Sequence, residues 1–129
     1  MIARQGDACA IFAAMGKTNG LHALEVAHLI IEEIHDAIKV FPTPDFSGLR
    51  YQLAKAANSV AANIAEGFGR DTDNERKNKL RMSRGELEET QSHLKVAGRL
   101  KYMKEAQFYR IWNLTVVLQR MLVKLMRKC

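Results

Sequence analysis

The residues that could hold a metal ion are histidines and carboxylates, most of them on the first helical segment. Glu32 and His35 form a Glu-x-x-His element, the spacing with which di-iron bundle proteins bind metal, and His28 lies one turn earlier. A complete site needs a second such element and two more inward-facing glutamates, but the other pair, Glu89 and His93, is spaced by four. A metal-binding bundle enzyme is therefore the least favoured interpretation, and we expect no metal and no cofactor.

Motifs for nucleophilic or phosphate-loop chemistry are absent from the sequence. It has no Gly-x-Ser-x-Gly turn, and its two cysteines, Cys9 and Cys129, lie near opposite ends without metal-ligand spacing. The Gly-Phe-Gly-Arg turn at residues 67–70 lacks the Gly-Lys-Ser/Thr ending of a phosphate loop. We therefore expect a protein without enzymatic activity, with reduced thiols and a cytoplasmic location.

Clustered cations are the strongest candidate binding feature. The formal net charge of +6 and the sequence pI near 9.6 favour polyanionic partners such as RNA or DNA. One cluster surrounds the start of the third predicted helix, and another forms a row on one face near the C-terminus. The candidate nucleic-acid-binding residues are Arg70, Arg76, Lys77, Lys79, Arg81, Arg84, Arg120, Lys124 and Arg127. The alternative is a solvated face, balanced by nearby carboxylates in the first cluster and offsetting the helix dipole in the second.

Aromatic side chains that could stack on bases are few. Phe108, Tyr109 and Trp112 follow a pattern typical of core residues on the last helix. Sequence-specific reading of single strands is therefore not expected.

Apolar residues recur at steps of three and four in four segments, which predicts four amphipathic helices. We expect residues 1–20 to form a tail or short helix and residues 21–129 to form one bundle. The predicted helices cover about residues 21–41, 48–68, 73–101 and 105–127. No apolar run reaches the roughly 20 residues that a membrane-spanning helix needs.

Prolines, glycines and capping residues predict where these helices begin and end. The prolines of segment 42–44 should end the first helix, because proline lacks a backbone N–H and disfavours helical angles in its predecessor. Gly67 and Gly69 should supply left-handed positions that end the second helix. A capping box, Thr at 72 and Glu at 75, should begin the third.

A polar stripe on the second helix is the most unusual feature of the pattern. Its members recur by three and four: Gln52, Lys55, Ser59, Asn63, Glu66 and Arg70. The stripe could be a surface for a ligand or RNA, but we favour a hydrogen-bonded seam, because buried Asn and Ser side chains partnered across helices fix register. Glu66 and Arg70 are spaced i, i+4 and can also pair with each other.

The last helix is apolar on more than one face. A four-helix monomer needs only one broad apolar stripe per helix, so the surplus predicts a second buried surface between identical subunits. The candidate oligomer-interface residues are Trp112, Val116, Val117, Met121 and Val123.

The stretch Asn-Ile-Ala-Glu-Gly-Phe-Gly-Arg at residues 63–70 is the most distinctive part of the sequence. With the preceding residues from Gln52 onward, it resembles the four-helix-bundle proteins encoded in 23S rRNA intervening sequences, and the similarity covers about residues 24–125. The matching motif residues, which we interpret as structural, are Gln52, Ser59, Asn63, Glu66, Gly67, Gly69 and Arg70.

The resemblance implies an all-α, up-down antiparallel four-helix bundle that assembles into a ring-like homo-oligomer of five subunits. The same broad group includes accessory proteins of diversity-generating retroelements, which engage a reverse transcriptase and nucleic acid through a basic surface. No enzymatic reaction is implied.

Together these observations favour a non-enzymatic, ring-forming bundle that binds nucleic acid, a nucleic-acid-processing partner, or both, through its basic surface. The alternative is a purely structural or protein-interaction bundle whose charge serves solubility. The two differ in whether a polyanion binds with a steep dependence on salt concentration.

Overall fold

The structure is a computed structural model that describes residues 19–45 and 48–129. Within these ranges the chain forms four helices and no strand: α1 (Asn19–Ile38), α2 (Leu49–Phe68), α3 (Asp73–Arg99) and α4 (Glu105–Arg127). The predicted all-α class is confirmed, and the tail or short helix expected before α1 lies almost entirely outside the described residues. None of the described helices is both long enough and apolar enough to cross a membrane.

The helices pack as a four-helix bundle in which each helix contacts two others. Helices α1 and α3 each contact α2 and α4. Contacts between consecutive helices show that they run in opposite directions. Glu66 near the end of α2 pairs with Lys79 near the start of α3, and Val60, earlier in α2, accepts a hydrogen bond from Ser83, later in α3. Short connections between helices favour this antiparallel arrangement.

Each helix buries one stripe of side chains toward the centre of the bundle. The largest fully buried apolar side chains are Ile30, Ile34, Leu53, Ile64, Leu87, Leu94, Ile111, Leu118 and Leu122. Burying one such side chain stabilises the fold by about 1.5–3 kcal/mol. On α1 the buried stripe includes Ala23, Val26 and Ile30, whereas Leu24 and Ile31 are only partly buried.

Among the described residues three polar side chains are fully buried, and each of their hydroxyls has a hydrogen-bond partner. Ser83 donates across the α2–α3 contact to the carbonyl oxygen of Val60 at 2.8 Å. Thr90 donates within its own helix, and Thr115 donates to Trp112 and accepts from Gln91 of α3. Because a buried hydroxyl without a partner would be destabilising, these bonds make burial of the three residues tolerable.

The end of α2 corrects the prediction made for Gly67 and Gly69. Neither is left-handed: Gly69 has φ −85° and ψ 0°, and Gly67 lies inside the helix. The helix instead tightens at its last turn, where the N–H of Gly69 bonds to the carbonyl of Glu66. Gly67 is buried at the contact with α3, where a Cβ would lie at an ordinary contact distance, 3.4 Å, from the Cβ of Lys79.

Other boundaries show where capping and proline positions act. The Thr72 hydroxyl accepts a hydrogen bond from the N–H of Glu75 at 3.1 Å, which confirms the predicted cap of α3. The carboxylate of Asp45 accepts from the N–H of Arg50 and thereby satisfies the first turn of α2. Helix α1 ends at Ile38, before the predicted position 41 and ahead of the prolines of segment 42–44.

Helix α3 ends in a turn that requires a left-handed residue. The N–H of Tyr102 bonds to the carbonyl of Ala97 and that of Lys101 bonds to Gly98, the hydrogen-bond pattern of a Schellman motif. Its left-handed position is occupied by Lys101, with φ 60°, where glycine is the usual residue. The helix therefore stops at Arg99, short of the predicted position 101.

Replacing Lys101 by glycine should stabilise the fold, because glycine adopts positive φ without the steric cost that an L-residue with a Cβ incurs. We expect Lys101→Gly to raise the free energy of unfolding by about 1 kcal/mol and the melting temperature by about 3–5 °C, measured by thermal and denaturant unfolding. Lys101→Ala removes the side chain but keeps the Cβ and is the matched control. Equal stability of the two variants would contradict this account.

Candidate nucleic-acid interface

The cations of α3 divide between two sides of the helix. On the side facing α2, Arg76 donates to the carboxylate of Asp73 and to the carbonyl oxygen of Arg70, at 2.5 and 2.8 Å. Lys79 lies 2.9 Å from a carboxylate oxygen of Glu66. The positive charges of Arg76 and Lys79 are therefore already partnered by acidic residues of the same chain.

These ion pairs shift the titration of their members. The hydrogen bond and the charge of Lys79 lower the pKa of Glu66, with a smaller contribution from the charge of Arg70, against a rise from partial desolvation. The hydrogen bond to Asp73 raises the pKa of Arg76. Both effects favour the charged forms of Glu66 and Arg76.

On the side facing α4, the other cations in the first half of α3 meet a cation from the last helix. Lys77, Arg81 and Arg84 follow one another by four and three positions, and with Arg127 they line a shallow groove of about 240 Å³. Val123 and Met126 of α4 form the apolar part of its lining. None of these four cations takes part in the ion pairs found between described residues.

A second depression continues this surface along α4. It measures about 400 Å³ and is lined by Arg120, Lys124 and Arg127, with Val116, Gln119 and Val123 between them. Because Val123 and Arg127 line both depressions, the two form one surface. We call this surface the basic groove and define it by Lys77, Arg81, Arg84, Arg120, Lys124 and Arg127.

The structure thus brings together six of the nine candidate nucleic-acid-binding residues. The other three, Arg70, Arg76 and Lys79, lie around the α2–α3 turn on the other side of α3. Arg70 is exposed, and its charge contributes to the lowered pKa of Glu66. The two sequence clusters, which are separated by more than a helix length along the chain, meet because α3 and α4 are antiparallel neighbours.

The polar stripe of α2 lies at the surface and is not a buried seam. Gln52, Lys55 and Glu66 are exposed, while Ser59 and Asn63 are half-buried. Asn63 donates to the carbonyl of Ser59 in its own helix at 2.9 Å. This bond lies within α2, whereas the sequence favoured a bond to another helix. The stripe contacts another helix through the ion pair of Glu66 with Lys79, which takes the place of the possible Glu66–Arg70 pair.

The five candidate oligomer-interface residues do not share one face of α4. Val116 and Val123 border the basic groove, whereas Val117 lies on the opposite edge, in a groove shared with α1. Met121 is partly buried against the core, and Trp112 stacks on Phe108. Only Val117 among the five is exposed, at 42%, so most of the apolar surplus is partly covered within the single chain.

The histidine and carboxylate elements stay apart. Glu32 and His35 lie on α1 and Glu89 and His93 on α3, two helices that do not contact each other in the bundle. His93 lies 3.9 Å from Glu89, and His28 and His35 are exposed. In the part of the chain that the structure describes, no three His, Cys, Asp or Glu side chains come close enough to hold a metal ion.

Cys129 is a free thiol that donates to the carbonyl of Leu125, whereas Cys9 lies outside the described residues.

The chain is a small four-helix-bundle protein. Its basic groove runs along the contact between α3 and α4. A family model described as 23S rRNA-intervening sequence protein matches residues 19–124, so the chain belongs to this family. It is also similar to a crystal structure of a protein of unknown function from the S23 ribosomal protein family of Bacteroides thetaiotaomicron VPI-5482. The TM-score is 0.75 at 21% identity, with 81% of this chain and 97% of that chain covered, a likeness that shows the fold alone. No protein with a curated functional description matches the chain.

Removing the Lys79 side-chain charge should raise the pKa of Glu66 towards its ordinary value. In the folded protein that pKa is lowered, so the stabilisation from the pair is present above the pKa that Glu66 has in the unfolded chain. It is lost as the pH falls through the folded-state pKa. We therefore expect Lys79→Gln to flatten the acid side of the stability profile and to move the carboxyl titration of Glu66 upward, as followed by carbon-detected NMR.

Lys39→Gln is the control for this experiment, because Lys39 pairs with Asp36 on α1, remote from Glu66. It should leave the titration midpoint of Glu66 unchanged. An unchanged midpoint in the Lys79→Gln variant would show that the pair does not set the titration of Glu66.

Proposed function

We propose that this protein is a non-enzymatic bundle that binds nucleic acid through the basic groove. The observation that carries the proposal is the convergence of Lys77, Arg81 and Arg84 from α3 with Arg127 from α4, in one groove and without carboxylate partners among the described residues. Cations without partners are the ones that can exchange bound counterions for phosphates.

The form of the groove supports binding to a phosphate backbone. Arginine predominates over lysine in it, and the planar guanidinium can donate two parallel hydrogen bonds to one phosphate. The cations follow two antiparallel helices, so they form a line rather than a single point, as a linear polyanion requires. Membership of a family described by 23S rRNA intervening sequences is consistent with an RNA partner. A nucleic-acid-processing enzyme, such as a reverse transcriptase, is a second partner that this surface could serve.

We further propose that the chain forms a homo-oligomer, and the resemblance described above implies a ring of five subunits. Support comes from a groove of about 580 Å³ between α1 and α4, where Leu29, Leu114 and Val117 form the apolar lining. Glu32 and Asp36 on α1 border this groove. An apolar strip with a charged border is the composition expected of a subunit contact.

A protein-interaction function is the competing proposal, and the charge distribution favours it specifically. Glu32, Glu33 and Asp36 line the α1 edge with carboxylates, opposite in sign to the basic groove, although Arg110 pairs with Glu33 and Lys39 with Asp36. In a head-to-tail ring, the acidic edge of one subunit could face the basic groove of the next. The groove would then hold the ring together and would not be available to nucleic acid.

Removing two groove cations should weaken RNA binding and reduce its salt dependence. We expect the double variant Arg81→Ala with Arg84→Ala to bind a labelled duplex RNA about tenfold more weakly than the unmodified protein. The slope of log affinity against log salt concentration should fall by about one for each phosphate that the variant no longer neutralises. Fluorescence anisotropy across a salt series measures both.

The control double variant, Lys39→Ala with Lys55→Ala, removes the same net charge from exposed positions outside the grooves, one just after α1 and one on α2. It should bind RNA nearly as well as the unmodified protein. Equal weakening by both double variants would reduce the effect to net charge alone. If the Arg81 and Arg84 double variant dissociates the oligomer and no RNA binds to the unmodified protein, the protein-interaction function is the correct one.

Val117→Glu should dissociate the proposed oligomer, because it places a charge in the apolar strip between α1 and α4. Light scattering should then report a mass near that of one chain, 14.6 kDa, with the helical content unchanged. Val96→Glu is the matched control, since Val96 on α3 is exposed to a similar extent, 40% against 42% for Val117. A mass of one chain for the unmodified protein would contradict the oligomer, and an intact Val117→Glu oligomer would exclude this groove as the contact.

A further inference from the structure

A third groove lies beside the α3–α4 turn, at the other end of the contact that forms the basic groove. It measures about 630 Å³, and its main side chains are Lys95, Arg99, Lys101, Glu105, Phe108 and Tyr109. We call it the turn groove. Its volume is within the range of about 300–1,000 Å³ typical of small-ligand sites.

Aromatic rings form one wall of the turn groove. Tyr109 is 53% exposed and meets Phe108 edge to face, with ring centroids 5.2 Å apart. Phe108 in turn stacks on Trp112 at 5.8 Å with an interplanar angle of 15°. Phe108 and Trp112 are half-buried, so the core-like pattern seen in the sequence applies to them only in part and fails for Tyr109. An exposed tyrosine braced by a second ring is a surface on which a planar group can stack.

Cations line the groove beside these rings. Lys95, Arg99 and Lys101 contribute three positive charges, against one carboxylate from Glu105. The amine of Lys95 lies 5.2 Å from the centroid of the Trp112 ring, a cation–π contact that brings this charge close to the aromatic wall. None of the ion pairs formed between described residues engages these three cations.

The local backbone explains why the rings and the cations lie together. At Gly98 a Cβ would lie 3.0 Å from the Phe108 ring, so the glycine lets that ring pack directly against α3. The left-handed turn at Lys101 then reverses the chain within a few residues and brings Tyr109 next to Arg99. The site is thus built from the turn itself.

We propose that the turn groove binds an unpaired nucleotide of a single-stranded polynucleotide, with its base stacked on Tyr109 and its phosphates held by Lys95, Arg99 and Lys101. A duplex cannot present the face of an internal base, so the rings select an unpaired one, whereas the cations alone would accept any polyanion. This inference rests on the proposed function and specifies the form of nucleic acid. Arg84 and Lys95 are separated by about 16 Å along α3, so one strand can contact both grooves.

The test uses the full chain and a short fluorescein-labelled oligoadenylate, followed by anisotropy. We expect Tyr109→Ala to weaken binding about tenfold, in line with the loss of one base–aromatic stack. Tyr109→Phe keeps the ring and should bind within about twofold of the unmodified protein. Tyr51→Ala removes a tyrosine of α2 that is 65% exposed, against 53% for Tyr109, and lies outside the grooves described here; it is the control with unchanged affinity. The single tryptophan, Trp112, should also lose fluorescence when the oligoadenylate binds.

Several outcomes separate this inference from the proposed function. If Tyr109→Ala binds oligoadenylate as well as the unmodified protein, while the Arg81 and Arg84 double variant binds duplex RNA weakly, the inference is wrong and the proposed function stands. If neither duplex nor single strand binds, both are wrong. Free AMP that quenches Trp112 as strongly as oligoadenylate at equal nucleotide concentration would assign the groove to a mononucleotide. An oligoglutamate that competes with oligoadenylate and shows the same dependence on Tyr109 would assign it to an acidic peptide. Either of these last two results would overturn the inference.

Discussion

The antiparallel contact between α3 and α4 is the constraint on which both proposed nucleic-acid-binding grooves depend. Residues near the start of α3 meet residues near the end of α4, as Arg81 and Arg127 do, and residues near the end of α3 meet the start of α4, as Gly98 and Phe108 do. The contact is fixed between these ends by the bond from Gln91 to the buried Thr115. One pairing of helices thereby produces the basic groove at one end and the turn groove at the other. A shift of one helical turn, about 5.4 Å, would separate both sets of side chains.

The bundle could be predicted from the sequence because its determinants are local. Apolar residues at steps of three and four define each helix, and the Thr72 cap is read from two residues in one turn. The predictions that failed concern where helices end. Gly67 looked like a helix stop because glycine is common there, but α2 continues through it to Phe68, and Gly67 is buried at the contact with Lys79 of α3. The end of α3 was missed for a related reason: its left-handed position holds Lys101, which carries no sequence signal for a turn.

The candidate site shows the same division between local and long-range information. The sequence showed two clusters of cations. It could not show that Arg76 and Lys79 of the first cluster form ion pairs with Asp73 and Glu66. The meeting of the other α3 cations with Arg127 depends on the fold. Burial likewise separates residues that look equivalent: the aromatic residues of α4 share one sequence pattern, yet only some face the core. The helix that buries Ile111 presents Tyr109 to solvent, because positions two apart lie on different sides of a helix.

Stability alone does not account for the basic groove. Lys77 and Arg81 are spaced i, i+4, as are Arg120 and Lys124, and like charges at this spacing destabilise a helix by about 0.2–0.5 kcal/mol per pair. At the end of α4 the helix dipole offsets part of this cost, since cations are favourable at a C-terminus. No such compensation reaches Lys77, which lies near the N-terminus of α3, where carboxylates are the stabilising residues. Proteins carry residues that are unfavourable for helix stability mainly at sites where another requirement, such as function, applies. A polyanion bound as proposed above would be such a requirement, because its phosphates would supply the negative charge that the groove itself lacks.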